Sequence, residues 1–319
     1  MIRRGALSLL IVLSATTLVP APAAAGSSCV PPTAAWDARA ALVLSGGGAK
    51  GAWEVGVAAA LIEAGLPIAL VAGSSAGALN AAMIAAGRVD RLEALWRGLE
   101  RDKVYTLRAP VFFAGLLPGW LTLLALDGAG SLFDPQPLRD LIAATVELDR
   151  IRASRVRLLV TTTDLERREK KTFDNATVTV SALVAAAAVP GAFPPVDVDG
   201  ALLVDGGLTG RAPVLEALEA GVPLGRVLVV MSYAPEERGQ RPTTMRRALE
   251  EAFETAMIHQ IRRDTELARL KYPDVDVQLL TPSAPLRLRP LDFDGDGIAR
   301  ALALGRADAL ECLGSLRGK

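Results

Sequence analysis

The chain has 319 residues, of which 51% are hydrophobic and 4% aromatic, enough for one large domain with a sizeable core and too apolar for a disordered chain. Lys+Arg and Asp+Glu balance at 35 each, so no basic field exists along which a nucleic acid could bind, and none is expected as a partner. Abundant alanine predicts frequent helices packed through small side chains.

In chain order, residues 1–25 read as a signal peptide. Arg3 and Arg4 make a positive start, residues 6–19 are apolar, and Ala23-Ala24-Ala25 is a small-residue cleavage site. The apolar run is shorter than the roughly 20 residues that span a bilayer. An uncleaved anchor is the alternative, and a lipoprotein start at Cys29 would want an aliphatic residue where Gly26 stands. Export to the periplasm or beyond the cell is therefore expected. In an oxidising compartment the two cysteines, Cys29 and Cys312, could pair and tie the chain ends together; two unpaired thiols are the alternative.

Residues 26–39 read as a Pro-containing lead, and 40–314 as one domain. Residues 40–44 are a short apolar run, read as a buried strand, that stops at Gly46-Gly47-Gly48. A helix is predicted over 49–64, with Gly65 at its end and Pro67 beyond. A strand over 68–72 leads through Gly73 to an alanine-rich helix that Gly87 stops. Further strands are predicted at 156–162, 202–204, 227–231 and 275–280. Helices are predicted at 181–188, 213–220, 243–270 and 297–313. This alternation predicts an α/β fold, a three-layer sandwich with a mostly parallel central sheet flanked by helices. Ligands in such sheets sit outside the carboxyl ends of strands, where the glycine-rich turns fall. One stretch breaks the rhythm, an apolar excursion at about 104–131 whose residues 111–126 contain Pro118, Gly119 and Trp120. It reads as a buried helical excursion or as a cap.

Three segments can carry chemistry. Gly46-Gly47-Gly48-Ala49-Lys50-Gly51 matches G-x-G-x-x-G between a strand and a helix. A dinucleotide site would need an acidic residue about 20 positions on, yet residues 66–79 contain no Asp or Glu. A P-loop would need Ser or Thr after Lys50, where Gly51 stands. What remains is a turn whose N–H groups converge at a helix start, which suits a developing anion. Gly73-Ser74-Ser75-Ala76-Gly77 matches the G-x-S-x-G nucleophile elbow, with Ser75 as the central hydroxyl; an ordinary Gly/Ser turn is the alternative. Asp205-Gly206-Gly207 follows a predicted strand and could present a carboxylate, or could be a plain β-turn. The only histidine, His259, falls inside the long predicted helix with no glycine turn to present it. A base for Ser75 is therefore better sought among carboxylates than in a Ser-His-Asp triad.

These segments, in this order, resemble the patatin-like phospholipases. The likeness includes Leu42-Val43-Leu44-Ser45 running into the glycine loop, then Ala52-Trp53 and Val55-Gly56-Val57. It continues at Thr161-Thr162-Thr163-Asp164-Leu165 and at Val189-Pro190-Gly191-Ala192-Phe193-Pro194-Pro195-Val196, together covering roughly residues 40–214, and the ending at Leu291-Asp292-Phe293 is compatible with it. The resemblance implies a cofactor-independent serine lipid-acyl hydrolase with Ser75 as nucleophile and Asp205 as base. It implies an oxyanion hole from Gly46, Gly47, Gly48 and the Ala76 N–H. The substrate would be a phospholipid or related lipid ester, membrane-borne or micellar, with transient contact to the membrane surface; the excursion would then suit a lipid-contacting lid. A lipid-binding module with the same fold and little turnover is the alternative. Two places depart from the family pattern: between Gly207 and Pro213, where an Asn is frequent, this chain has Gly210-Arg211-Ala212, and Ala186 stands where a Ser is frequent. An arginine there would suit an anionic head group. No metal site is expected: Asp292 to Gly297 matches only the first half of a calcium loop, with Ala303 at its twelfth position, and reads as an acidic helix cap.

Overall fold

Short apolar runs become the sheet in the computed structural model, which describes residues 35–109, 111, 121, 128, 130–235, 239 and 241–316. The strands are β1 (Ala40–Leu44), β2 (Ile68–Gly73), β3 (Thr106–Leu107), β4 (Phe133–Asp134), β5 (Arg157–Asp164), β6 (Glu169–Asp174), β7 (Val196–Val198), β8 (Ala201–Asp205), β9 (Arg226–Val230) and β10 (Asp276–Leu280). The main sheet is eight-stranded, in the order β10-β9-β1-β2-β5-β8-β7, with β6 also paired to β5. Strands β10, β9, β1, β2 and β5 are mutually parallel, whereas β6, β7 and β8 join by antiparallel pairing. The sandwich is thus mixed: parallel on one side of β5, antiparallel beyond it.

Both faces of the parallel strands are covered, which is why they read as unbroken apolar runs rather than alternating ones. On one face Leu42, Leu44, Val71, Leu158, Val160 and Leu228 pack under helices. Those helices are α1 (Gly51–Glu63), α2 (Ala76–Ala85), α3 (Val89–Arg97), α4 (Gln136–Thr145), α5 (Leu148–Ala153), α6 (Val180–Ala186) and α9 (Gly295–Leu316). On the other face Ala41, Val43, Leu70, Ala72, Val227 and Val229 meet α7 (Val214–Glu219) and α8 (Met245–Lys271). Helices α1 and α2 are buried almost all round, as their alanine content allows.

One feature of the sheet matters for function. Strand β6 lines one edge of β5 along Leu159 to Asp164, so β2 and β8 must share the other edge. β2 occupies its first half, ending with Gly73 opposite Val160; β8 occupies its second half, ending with Asp205 opposite Thr162. Because β2 runs parallel and β8 antiparallel to β5, their carboxyl ends meet head to head. The turns that follow Gly73 and Asp205 are thereby brought to one place.

The excursion leaves and rejoins the domain through the antiparallel ribbon β3–β4. Its foot is aromatic: the Tyr105 and Phe133 rings are 4.3 Å apart between centroids, Phe193 and Phe293 lie against them, and Tyr105 Oη donates to Leu291 O at 2.7 Å. Its interior, the expected signal peptide and Cys29 fall outside the described residues. No helix among the described residues is long and apolar enough to cross a membrane.

Candidate active site

Ser75 stands between β2 and α2 with φ 53° and ψ −137°, a conformation that non-glycine residues rarely adopt and that structures retain at functional turns. Its N–H donates to Ala186 O at 2.9 Å. Its hydroxyl makes no capping bond to the helix it precedes and is left for other work. The flanking glycines are required by close approach. A Cβ on Gly73 would sit 2.3 Å from Gly77 O, and one on Gly77 would sit 2.6 Å from Leu44 O and 2.8 Å from Gly46 N.

Asp205 ends β8, and its N–H donates to Ala188 O at 3.0 Å. Ala186 and Ala188 are two positions apart at the end of α6, so a single strip of backbone fixes Ser75 and Asp205 together. Ala186 therefore contributes through its carbonyl, which any residue supplies. Thr163 Oγ1 donates to Asp205 O at 3.0 Å and tightens the same corner. The two carboxylate oxygens differ. Oδ1 accepts from Gly207 N at 2.7 Å and lies 3.6 Å from Arg211 Nη1. Oδ2 is buried and has no hydrogen bond of regular geometry among the described residues, while the Ser75 hydroxyl lies close enough to favour the ionised carboxylate. Burial raises the Asp205 pKa above its ordinary value, opposed first by Arg211 and then by Gly207 N–H and Ser75.

The glycine loop lies across the start of α2. Gly46 has φ 72°, and a Cβ there would sit 2.5 Å from Ser74 O. The expectation that Gly46 lends a donor to the site is corrected by its N–H, which donates to Glu54 Oε1 at 2.6 Å. Gly47 and Gly48 N–H make no hydrogen bond among the described residues, nor does Ala76 N–H at the first turn of α2, where helix donors are unpaired. Gly48 is pressed against Pro290, which anchors the loop as Ala49 N–H donates to Pro290 O at 2.8 Å. Gly51 opens α1 close to Ala76, and Gly206 packs on Thr161 O.

Glu54, in α1, was not among the residues expected to matter. It is fully buried and accepts from Gly46 N–H, from Ser45 Oγ at 3.0 Å and from Asn80 Nδ2 at 3.4 Å. Asn80 is held in turn by Trp96 Nε1 at 2.9 Å. Burial pushes the Glu54 pKa from 4.5 up to about 7 against these hydrogen bonds and the charge of Arg211. An acidic residue inside an otherwise apolar helix was the available signal.

His259 is exposed on α8. Asp294 Oδ2 accepts from Gly297 N at 2.7 Å, the helix cap expected at the start of α9, and no group of His, Cys, Asp or Glu able to hold a metal occurs among the described residues. Arg211 is buried rather than presented to solvent, which does not suit recognition of a head group at the surface. Cys312 is buried in α9 and is not a free thiol.

The family model described as patatin-like phospholipase matches residues 42–218, from β1 through both turns to α7. The chain belongs to the patatin-like phospholipase family. It is 32% identical over 200 residues to an uncharacterized NTE family protein of Mycobacterium tuberculosis, covering 61% of this chain and 49% of that one. The chain thus spans about half the length of the curated relatives it matches. A shorter stretch of 44 residues is 57% identical to lysophospholipase nte1 of Aspergillus terreus, covering 14% of this chain and 3% of that one. Among solved structures, VipD from Legionella pneumophila aligns over 88% of this chain and 67% of its own, with a TM-score of 0.49 and 16% identity. Within this patatin-like domain the matched segment contains Ser75, Asp205 and the glycine loop, and stops before His259.

Proposed function

We propose that this protein is a serine lipid-acyl hydrolase acting through Ser75 and Asp205. The observation that carries the reading is the meeting of a strained, uncapped serine at a helix start with a buried carboxylate oxygen that has no other partner among the described residues. Ser75 Oγ attacks the ester carbonyl carbon as its proton passes to Asp205 Oδ2. The charge that develops on the carbonyl oxygen is received by the N–H groups of Gly47, Gly48 and Ala76, each such donor being worth about 3 kcal/mol in a dry site. Collapse breaks the ester C–O bond, and the departing alkoxide takes the proton from Asp205. Water then attacks the acyl-serine with Asp205 again as base, and the fatty acid leaves.

An ordinary aspartate is a weak base for a serine proton. Burial strengthens it here by raising its pKa. The substrate class proposed is a phospholipid or related lipid ester at a membrane or micelle surface, with no cofactor. The basic start and apolar run of residues 1–25 support export, and in that setting Cys29 is the proposed partner of Cys312.

A fluorophosphonate probe tests the reading. The native protein is expected to take the label and Ser75→Ala to lose it, together with at least about 1000-fold of its ester hydrolysis. Equal labelling of Ser75→Ala defeats the assignment. A native protein that neither labels nor hydrolyses lipid esters points instead to a lipid-binding module.

A further inference from the structure

The steps above give no role to the guanidinium beside the dyad. Arg211 is 3% exposed and follows the Gly206-Gly207 turn on the way to α7. Its backbone is gripped from two sides: its carbonyl accepts from Ser74 Oγ at 2.5 Å, and its N–H donates to Gln260 Oε1 at 3.0 Å. It is thereby tied to the residue before the nucleophile and to α8. Its Nη1 lies 3.6 Å from Asp205 Oδ1, the oxygen that also receives Gly207 N–H. The turn leaves no slack, since a Cβ on Gly207 would lie 2.9 Å from both Arg211 Nη1 and Asp205 Oδ1. Arg211 Nε, buried, has no hydrogen-bond partner among the described residues. The guanidinium is thus held beside the carboxylate without being saturated by it.

We infer that Arg211 is a positioning residue for Asp205, holding Oδ1 so that Oδ2 faces Ser75 and supplying the fixed charge that keeps this buried base ionised. The inference rests on the dyad reading above. A carboxylate taken out of water tends to protonate, and a cation within about 4–6 Å opposes that. Asp205 faces Arg211 on its own turn, the Ser75 hydroxyl from α2 and Thr163 from β5. Arg211 in turn faces Glu54 from α1, Tyr233 from the segment after β9 and Gln260 from α8. The other cations nearby are engaged elsewhere. Lys50 pairs with Glu254 and stands over the Tyr233 ring, and Lys170, beside Gly210, pairs with Glu216.

The test is the pH profile of kcat and KM on a soluble chromogenic ester, p-nitrophenyl butyrate, for native protein, Arg211→Gln and Arg211→Lys. Each is measured with Glu54 present and in a Glu54→Gln background, because Glu54 titrates in the same range and also faces Arg211. In both backgrounds Arg211→Gln is expected to move the acid limb of kcat/KM upward by about one unit or more. kcat at neutral pH should fall about tenfold with KM little changed, and rate should return above the limb. Arg211→Lys should restore the limb while leaving kcat several-fold low, since an ammonium keeps the charge but loses the fork. An unmoved limb in folded Arg211→Gln, or a loss equal at every pH, overturns the inference. Should Arg211→Gln not fold, Arg211→Lys decides alone, and native kcat in that variant overturns it. Asp205→Asn separates the two readings. Full activity there removes the dyad itself; an inactive Asp205→Asn with an unmoved Arg211→Gln limb removes only the role of Arg211.

Discussion

Arginine meets carboxylates in two regions of this molecule, and the two are built oppositely. On the helical face, Arg306 of α9 reaches Glu63 of α1 and Glu93 of α3. Its Nη1 and Nη2 donate to Glu63 at 2.7 and 2.8 Å, and its Nε and Nη2 donate to Glu93 at 3.1 and 2.6 Å. Behind Ser75, Arg211 touches Asp205 only at 3.6 Å, and neither Arg211 Nε nor Asp205 Oδ2 has a hydrogen-bond partner among the described residues. The first cluster satisfies its groups and sits partly in solvent. The second leaves groups unsatisfied in a buried place, where each costs stability. Unfilled hydrogen-bonding capacity is what a reacting proton can use.

The pKa directions carry the same contrast. Hydrogen bonds from Arg306 hold Glu63 and Glu93 below the ordinary carboxylate range, so their contribution to stability is present above the unfolded pKa and is lost as pH falls. Burial raises Glu54 and Asp205, so their contribution is present at low pH and is lost as pH rises through the folded pKa. One cluster stabilises the protein at neutral pH; the other is tolerated there.

Breaking the buried cluster at its functional end should have the largest effect. Asp205→Asn keeps shape but cannot accept the serine proton, and ester hydrolysis is expected to fall about 1000-fold with the circular dichroism spectrum retained. A loss of only a few-fold would mean that another base serves Ser75. Next comes Glu54→Gln. The rise from 4.5 to about 7 corresponds to about 3 kcal/mol lost between those pH values as Glu54 ionises. Urea unfolding at the two ends of that window should show the native slope with pH reduced by about this amount in Glu54→Gln. An unchanged slope would show that Glu54 is not the group titrating. The smallest effect is expected from Arg306→Met, because Arg306 and its partner Glu63 have access to solvent; about 1 kcal/mol should be lost at neutral pH. That deficit should shrink in acid, where the carboxylates are protonated in both proteins. A deficit that grew in acid would contradict the assigned sign.

Much of the fold was legible because the parallel strands are buried on both faces and read as short apolar runs. β1, β2, β9 and β10 fall within a residue or two of their predicted limits. What was missed follows the same physics. β6, Glu-Lys-Lys-Thr-Phe-Asp, buries only Phe173 and has no apolar run to announce it. α3 buries only Leu92, Glu93 and Trp96, so its signal is one narrow face rather than a block. The antiparallel pairing of β8 on β5 was also invisible, since an apolar strand carries no mark of its direction.

Ser75 and Asp205 stood out in the sequence because their neighbours are glycines at strand ends, which local backbone sterics demand whatever the rest of the chain does. The sequence by itself determined the alternation of the main strands and helices, the match to an elbow around Ser75 and the poor placement of His259, each a matter of local spacing and side-chain type. Only the tertiary structure decided that Gly46 gives its N–H to Glu54, that Ala186 and Ala188 carbonyls fix Ser75 and Asp205, and that Arg211 turns inward to Asp205. Those choices depend on which groups meet after β2 and β8 converge along β5. Desolvation acts on groups far apart in the chain, and composition and spacing do not reveal it.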